Sequence, residues 1–433
     1  MRHALLALSL AALATPALAQ AAERPEVARH AAELRDDVIA WRRDFHQHPE
    51  LSNREQRTAA KVTAHLRKLG LSPRTGIAGH GVTALIEGAR PGARIALRAD
   101  MDALPVTEQT GLPFASKVTT TFNGQPTGVM HACGHDAHTA ILMGVAEALV
   151  AMRDTLPGSV LLVFQPAEEG VPPGETGGAP QMLVENVFGD SKPDAIFGLH
   201  VFSTLQAGQI GVRGGPLMAA SDRFTLTVKG RQTHGSRPWG GVDPIVAAAD
   251  LVGSAQAIVS RRTDLARLPA VVTFGTVHGG IRFNIIPDDV VLTGTIRTFD
   301  PAVRAAIFKD LGNVATHVAA AHGATVDAKI PDATGNPVTV NDAALTTRMR
   351  ASLEAVAGAA NVIEPPLQMG AEDYAYFARE IPSMYFFVGA TAPGIDPATA
   401  PSNHSPQFML DESSLDLGLR AMLQVALDAL HGR

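Results

Sequence analysis

Along this chain, short apolar runs alternate with longer segments of helical periodicity. Val82–Ile86, Arg94–Ala99, Val160–Phe164, Ala195–Leu199 and Met384–Val388 read as strands, and their interleaving with helices predicts an α/β fold with a largely parallel sheet. Ala137–Met152 is almost wholly apolar and predicts a buried helix, while Arg54–Leu69 is amphipathic and stops at Gly70, a suitable C′ residue. From Gly215 to Pro331 the pattern changes. Phe224, Leu226 and Val228 alternate with Thr225, Thr227 and Lys229, a strand with one wet face. A helix follows, with Ile245, Ala248, Ala249, Val252 and Val259 on one stripe, and then two strands, Ala270–Val277 and Asp289–Thr298. The second helix opens with Asp300 as N-cap and Pro301 at N1 and carries Val303, Ile307, Leu311, Val314 and Val318; Thr325–Ile330 closes the set. That β-α-β-β-α-β order predicts a ferredoxin-like module inserted at 215–331 into a larger domain made of 20–214 and 332–433.

Residues 1–19 read as a signal peptide: Arg2 and His3, an apolar run from Ala4 to Ala14, and the A-x-A site Ala17-Leu18-Ala19. This run is too short for a membrane span and no later stretch is long enough, so an exported, periplasmic protein is expected. Lys plus Arg number 36 and Asp plus Glu 42, a net charge of −6; with no basic block or aromatic cluster, nucleic acid is excluded as the natural partner. A single cysteine, Cys133, permits no disulfide within the chain.

Chemistry gathers at the downstream ends of the predicted strands, where open α/β sheets form their sites. Asp100 and Asp102 follow one strand, Glu168 and Glu169 a second, and His200 a third. Cys133 lies in His131-Ala132-Cys133-Gly134-His135-Asp136-Ala137-His138, spaced as a thiolate–imidazole metal site, although a lone cysteine also serves as a small buried hydrophobe. Glu168-Glu169 is either a solvated pair or, because neighbours in extended backbone point apart, a metal ligand beside a general base. His200 is either a ligand or a hydrogen-bonded core residue, and His404 either closes the site or lies on the surface. Neither a G-x-S-x-G elbow nor a Walker or G-x-G-x-x-G pattern occurs, which disfavours serine hydrolases and nucleotide enzymes.

The chain resembles metallopeptidases of the M20 family, in the amidohydrolase branch of hippurate hydrolases and plant auxin-conjugate hydrolases. The matching pieces are Arg43 to Leu51, Arg98 to Pro105, Met130 to His138, Pro166 to Gly170, Gly198-Leu199-His200, Asp243-Pro244, Asn284 to Pro287 and Asn403-His404, in family order. The resemblance implies a catalytic domain carrying two divalent metal ions per subunit and an inserted dimerisation or lid domain. It implies Cys133, His135, Glu169, His200 and His404 as ligands, Glu168 as the base and Asp102 as a residue that orients a ligand. His234 in the insert becomes a substrate and oxyanion contact in the partner subunit's site of a homodimer, with Asn284 assisting. His131 and His138 then need no metal role, and His46, His48 and Glu50 are structural. Zn²⁺, Mn²⁺, Co²⁺ and Ni²⁺ all suit such donors. The expected substrate is an N-acyl amino acid, cleaved by metal-polarised attack of water. An M20-type dipeptidase or carboxypeptidase acting on unblocked peptides is the alternative. A periplasmic binding or metal-storage protein is a third reading, which leaves the base beside the ligand without a purpose. Three stretches depart from the family pattern: Thr119–Thr127, Val171–Thr176 and His234 to Trp239.

Overall fold

In the computed structural model, which describes residues 22–432, the apolar runs pair into one eight-stranded sheet. The signal peptide expected at 1–19 lies outside the described residues. Four strands form the parallel centre, in the order Pro157–Gln165, Arg90–Asp100, Ala195–Gln206 and Ser383–Thr391. Gly81–Glu87 and then Arg74–Ile77 extend one side antiparallel, and Ile210–Gly211 pairs antiparallel on the other, so the sheet is mixed, with its parallel part in the middle.

Side-chain alternation divides this sheet between two cores. Ile95, Leu97 and Ala99 pack with Leu162 and Phe164 under the helices Pro25–Gln47, His135–Met152 and Ser413–Leu430. Ala96, Leu161, Val163 and Ile196 meet Met182, Tyr374, Phe377 and Tyr385 on the opposite face. The helix His135–Met152 is buried along nearly its whole length, as its composition predicts. At Gly144 a Cβ would lie 2.8 Å from Val38 Cγ2 and 3.1 Å from Leu419 Cδ1, so a hydrogen there lets three helices approach closely. The amphipathic segment becomes the helix Gln56–Lys68, and Gly70 beyond it takes the left-handed conformation.

The insert forms an antiparallel four-stranded sheet in the order Val271–Gly279, Asp289–Thr298, Ala220–Lys229 and Thr325–Lys329. Both helices packed on it have the same start: the side chains of Asp243 and Asp300 accept backbone N–H bonds ahead of Pro244 and Pro301. The stripe expected on Pro244–Arg262 is corrected. Ala247, Ala248, Leu251, Ala255 and Ile258 face the sheet, while Ile245 and Ala249 are exposed and Val252 and Val259 half-buried. Apolar residues occupy more than one side of this helix, so periodicity alone left its phase open, and packing against the sheet set it. Two-residue strands, Thr233–His234 and Ile285–Ile286, pair as a separate ribbon. No helix among the described residues is long and apolar enough to cross a membrane.

Candidate metal centre

The strand Arg90–Asp100 delivers Asp100 and, two residues on, Asp102 to the carboxyl end of the sheet. Next to it, Pro157–Gln165 runs into Pro166-Ala167-Glu168-Glu169. His200 sits within Ala195–Gln206 and not past its end, since that strand continues seven residues beyond the apolar run Ala195–Leu199. Cys133 and His135 flank Gly134 at the start of His135–Met152. Gly134 has φ 96°, and a Cβ there would stand 2.3 Å from Val201 Cγ2, so the sharp approach to the helix requires glycine. The late loop reaches in through Asn403, whose amide donates to Cys133 O and Val201 O at 3.0 and 3.1 Å. His404 follows at φ 71° and donates its backbone N–H to Ala132 O at 2.8 Å.

These elements bring all five expected ligands together. Cys133 Sγ is 3.3 Å from both His200 Nε2 and His404 Nε2, and Glu169 Oε1 is 3.1 Å from His404 Nε2 and 3.9 Å from His135 Nε2. The donor atoms of Cys133, His135 and His200 form one group within 4.8 Å of one another, and those of Cys133, Glu169 and His404 a second. Cys133 belongs to both. Each inner imidazole has its other nitrogen engaged: His135 Nδ1 meets Asp102 Oδ1 at 3.1 Å, and His200 Nδ1 meets Val201 O at 2.7 Å. Those Nδ1 contacts turn the Nε2 side of each ring toward the cluster. Asp102 is fixed in turn by Ser52 Oγ at 2.7 Å and the Glu169 N–H at 2.9 Å.

The cluster fits cations. Among the described residues, the buried His135 Nε2 and Glu169 Oε1 make no hydrogen bond, although Glu169 Oε1 lies 3.1 Å from the His404 imidazole, an expensive arrangement unless they coordinate something. Burial and the Glu169 and Glu168 carboxylates push the Cys133 thiol well above its ordinary value, so its ionisation calls for a neighbouring positive charge. The carboxylates of Asp100, Asp102 and Glu169 overcome burial and raise His135 to about 10. A soft thiolate, imidazoles and a carboxylate suit Zn²⁺-type ions.

His138 is spoken for. Its Nδ1 binds Asp100 Oδ1 at 2.6 Å and its Nε2 accepts the Val201 N–H at 2.9 Å, which leaves no lone pair for a metal. His131 is buried, and among the described residues neither of its ring nitrogens is hydrogen-bonded and it belongs to none of the donor groups. His46 lies in a buried clamp with Asp136 and Glu108, at 2.9 and 3.1 Å, and Glu50 accepts the Arg57 and Thr58 N–H groups at the start of Gln56–Lys68.

Glu168 and Glu169 do not point apart as extended alternation predicts: a carboxylate oxygen of each lies within 4.8 Å of the other and of a His135 ring nitrogen. They form a turn, entered through Ala167 at φ 55°. Glu168 Oε2 is 3.9 Å from His135 Nε2, and burial together with Glu372 and Glu169 raises its carboxyl well above the ordinary range. Behind it lies a network that reading the chain did not single out. Arg98, fully buried, donates to Gln165 Oε1, Asp100 Oδ2, Glu372 Oε1 and Asp373 Oδ1 at 2.8, 2.7, 2.9 and 3.2 Å. The Asp373 N–H reaches Glu168 Oε1 at 3.3 Å. The adjacent acids Glu372-Asp373 are the one local signal for it, a second pair like Glu168-Glu169.

A crevice of about 830 Å³ opens over Cys133, Glu168, Glu169 and His404. Arg297, on the insert strand Asp289–Thr298, also lines it. Arg297 is half-buried, and no hydrogen bond or ion pair engages its guanidinium among the described residues; nearby Asp222 is chelated by Arg304. His234 and Asn284 do not line this crevice. They border a separate recess of about 460 Å³ on the insert's ribbon, with Arg282 and Ile285. His234 Nδ1 accepts the Ser236 N–H at 3.1 Å, which leaves Nε2–H as an outward donor. Asn284 Oδ1 is buried and has no hydrogen-bond partner among the described residues.

The profile of peptidase family M20/M25/M40 matches residues 96–428. Thermostable carboxypeptidase 2 of Saccharolobus solfataricus is 37% identical over 396 residues, covering 91% of this chain and 96% of that one. N-acetyl-L-cysteine deacetylase of Bacillus subtilis is 38% identical over 382 residues, with coverage of 88% and 85%. The crystal structure of the Bacillus subtilis YXEP protein, described as a dinuclear metal binding peptidase from the M20 family, superposes with a TM-score of 0.75 at 34% identity, covering 92% of this chain and 99% of that one.

Proposed function

The chain belongs to peptidase family M20/M25/M40, and from that premise we propose that it hydrolyses N-acyl amino acids to a carboxylic acid and a free amino acid. Family membership makes it a metal-dependent hydrolase of amide bonds that uses two divalent ions. The observation that carries the substrate reading is Arg297, a cation with no partner in the crevice that holds the metal donors and Glu168. It suits a carboxylate on the amine side of the scissile bond. The crevice offers no equivalent for a free ammonium. Glu175 is paired with Arg54, and Glu372 and Asp373 are bonded to Arg98, while Glu168 and Glu169 have the tasks below. A blocked amine therefore fits better than the free amine of an unblocked dipeptide. The N-acetylated substrate in the name of the Bacillus deacetylase agrees with this reading.

We assign Cys133, His135, His200, Glu169 and His404 as the residues that would hold the two ions. When bound, the ions polarise the scissile carbonyl and acidify water. Glu168 takes the proton of the attacking water and delivers it to the departing nitrogen; its largely buried setting among carboxylates favours holding that proton in the interval. Asp102 keeps His135 turned toward the centre. His234 Nε2–H stabilises the tetrahedral oxyanion, with Asn284 beside it.

Because His234 and Asn284 lie outside their own chain's crevice, we place them over the partner subunit's crevice in a homodimer. Supporting this are the edge strand Val271–Gly279 with exposed Val277, and the ribbon tip where Ile281 is 99%, Phe283 96% and Trp239 80% exposed. Export to the periplasm belongs to the same proposal and rests on the leader pattern alone.

Metal-loaded enzyme assayed on hippurate, N-acetyl amino acids and matched unblocked dipeptides tests the substrate reading. The expected kcat/KM preference for the acylated substrates is roughly tenfold or more. Equal or faster cleavage of the dipeptides would make the enzyme a dipeptidase.

A further inference from the structure

Four consecutive residues, Ser52 to Glu55, tie together three pieces of the frame around the metal centre: Asp102, the loop at Glu175 and Thr176, and Ala167. Ser52 Oγ donates to Asp102 Oδ2 at 2.7 Å. Asn53 Nδ2 donates to Thr176 O and Glu175 Oε2, both at 3.0 Å, and Arg54 Nη2 donates to Glu175 Oε1 at 2.6 Å. Glu55 is fully buried at the N-cap position of Gln56–Lys68, yet its side chain does not cap that helix. Its Oε1 accepts the N–H of Asn53 at 3.0 Å and, across the fold, the N–H of Ala167 at 2.8 Å. Glu55 is not among the residues that line the crevice.

Ala167 needs such a tether. It is a buried non-glycine residue at φ 55°, a conformation disfavoured for an L side chain, and it immediately precedes Glu168. No other acceptor engages its N–H among the described residues, so losing Glu55 Oε1 would orphan a buried donor while the backbone is already biased to leave the turn. Relaxation of φ at Ala167 rotates everything that follows, beginning with the two glutamates.

We propose that Glu55 is a positioning residue for the hydrolysis: its carboxylate oxygen holds Ala167 in the left-handed turn that aims Glu168 at the reacting water and Glu169 at the metals. The proposal rests on the reading of Glu168 as base. A base displaced by an ångström or so loses rate far more than substrate affinity, so the effect falls on kcat.

The test compares Glu55→Met, which keeps length and volume but removes the acceptor, with Glu55→Gln, which retains one acceptor oxygen. Both are measured as purified enzyme at saturating metal, beside Glu168→Gln and the Glu55→Met/Glu168→Gln double variant. Glu55→Met is expected to lower kcat by roughly 10²-fold with KM nearly unchanged, and Glu55→Gln to recover most of that loss. In the Glu168→Gln background Glu55→Met should add less than about a twofold loss, because both changes disable the same base. Wild-type kcat in Glu55→Met, equal damage in Glu55→Met and Glu55→Gln, or losses that multiply in the double variant would each overturn the positioning role. Wild-type turnover in Glu168→Gln would instead remove the base reading. If Glu55→Met does not fold, Glu55→Asp, one methylene short of Ala167, carries the same comparison.

Discussion

The carboxyl end of the central sheet and the ribbon tip of the insert both carry histidines assigned to the reaction, but they are built in opposite ways. His135 and His200 are buried, each with Nδ1 hydrogen-bonded and Nε2 aimed into a cluster assembled from four separate segments of one chain. His234 is exposed on a two-residue strand, and among the described residues its ring is hydrogen-bonded to Ser236 of its own turn. A donor cage must hold several groups at fixed distances against their mutual repulsion, which a packed core can do. A single oxyanion donor has only to arrive from outside, and a mobile or symmetry-related element can bring it. The difference teaches that one chain gathers all five proposed metal donors in a single packed cluster, whereas the donor proposed for the oxyanion stands apart from it on the insert.

The largest expected effect sharpens the sheet side of the comparison. Glu168→Gln should cut kcat by roughly 10³–10⁴ while elemental analysis shows both metals retained. Glu169→Gln should instead lower metal occupancy, and the reverse pattern would exchange the two roles.

His234→Ala addresses the insert side. A kcat loss of roughly 10²–10³ is expected with metal content unchanged. Mixing His234→Ala with Glu168→Gln subunits should restore part of the activity, since one site in each mixed dimer has an intact base and a donor from the opposite chain. Verified subunit exchange with no recovery would break the comparison by returning His234 to its own chain.

A smaller loss is expected where the cage is only supported. Asp102→Ala frees His135 Nδ1 and should weaken metal retention or activity by roughly 10–10². Full activity with two metals bound would mean that packing alone orients the imidazole.

The smallest effect concerns the clamp beneath the cage. Burial opposes protonation of His46, but Asp136 and Glu108 outweigh it and raise its pKa. Stability contributed by that charge is therefore fully present below the unfolded value of about 6.5 and is lost as pH rises through the higher folded value. The gap in unfolding midpoint between the wild type and His46→Asn should accordingly be wider at pH 6 than at pH 9. A gap that grows with pH would show that His46 acts as the neutral form.

Much of this was written locally along the chain. The five strand cores, the caps Asp243-Pro244 and Asp300-Pro301, and the ligand spacing of Cys133 and His135 follow from side-chain period, fixed proline φ and donor chemistry, which need only a few neighbouring residues. What only the tertiary structure decided depends on contacts between distant segments. The exposed face of Pro244–Arg262 was set by packing, because apolar residues on several of its sides left the phase open. Arg98 reaches Glu372 and Asp373 across more than 270 positions, Arg297 comes to the crevice from another sheet, and Glu55 grips Ala167 from 112 residues away. The turn that carries both Glu168 and Glu169 to the cluster begins at a left-handed alanine, a conformation that no sequence rule assigns to alanine and whose N–H a buried glutamate 112 residues away accepts.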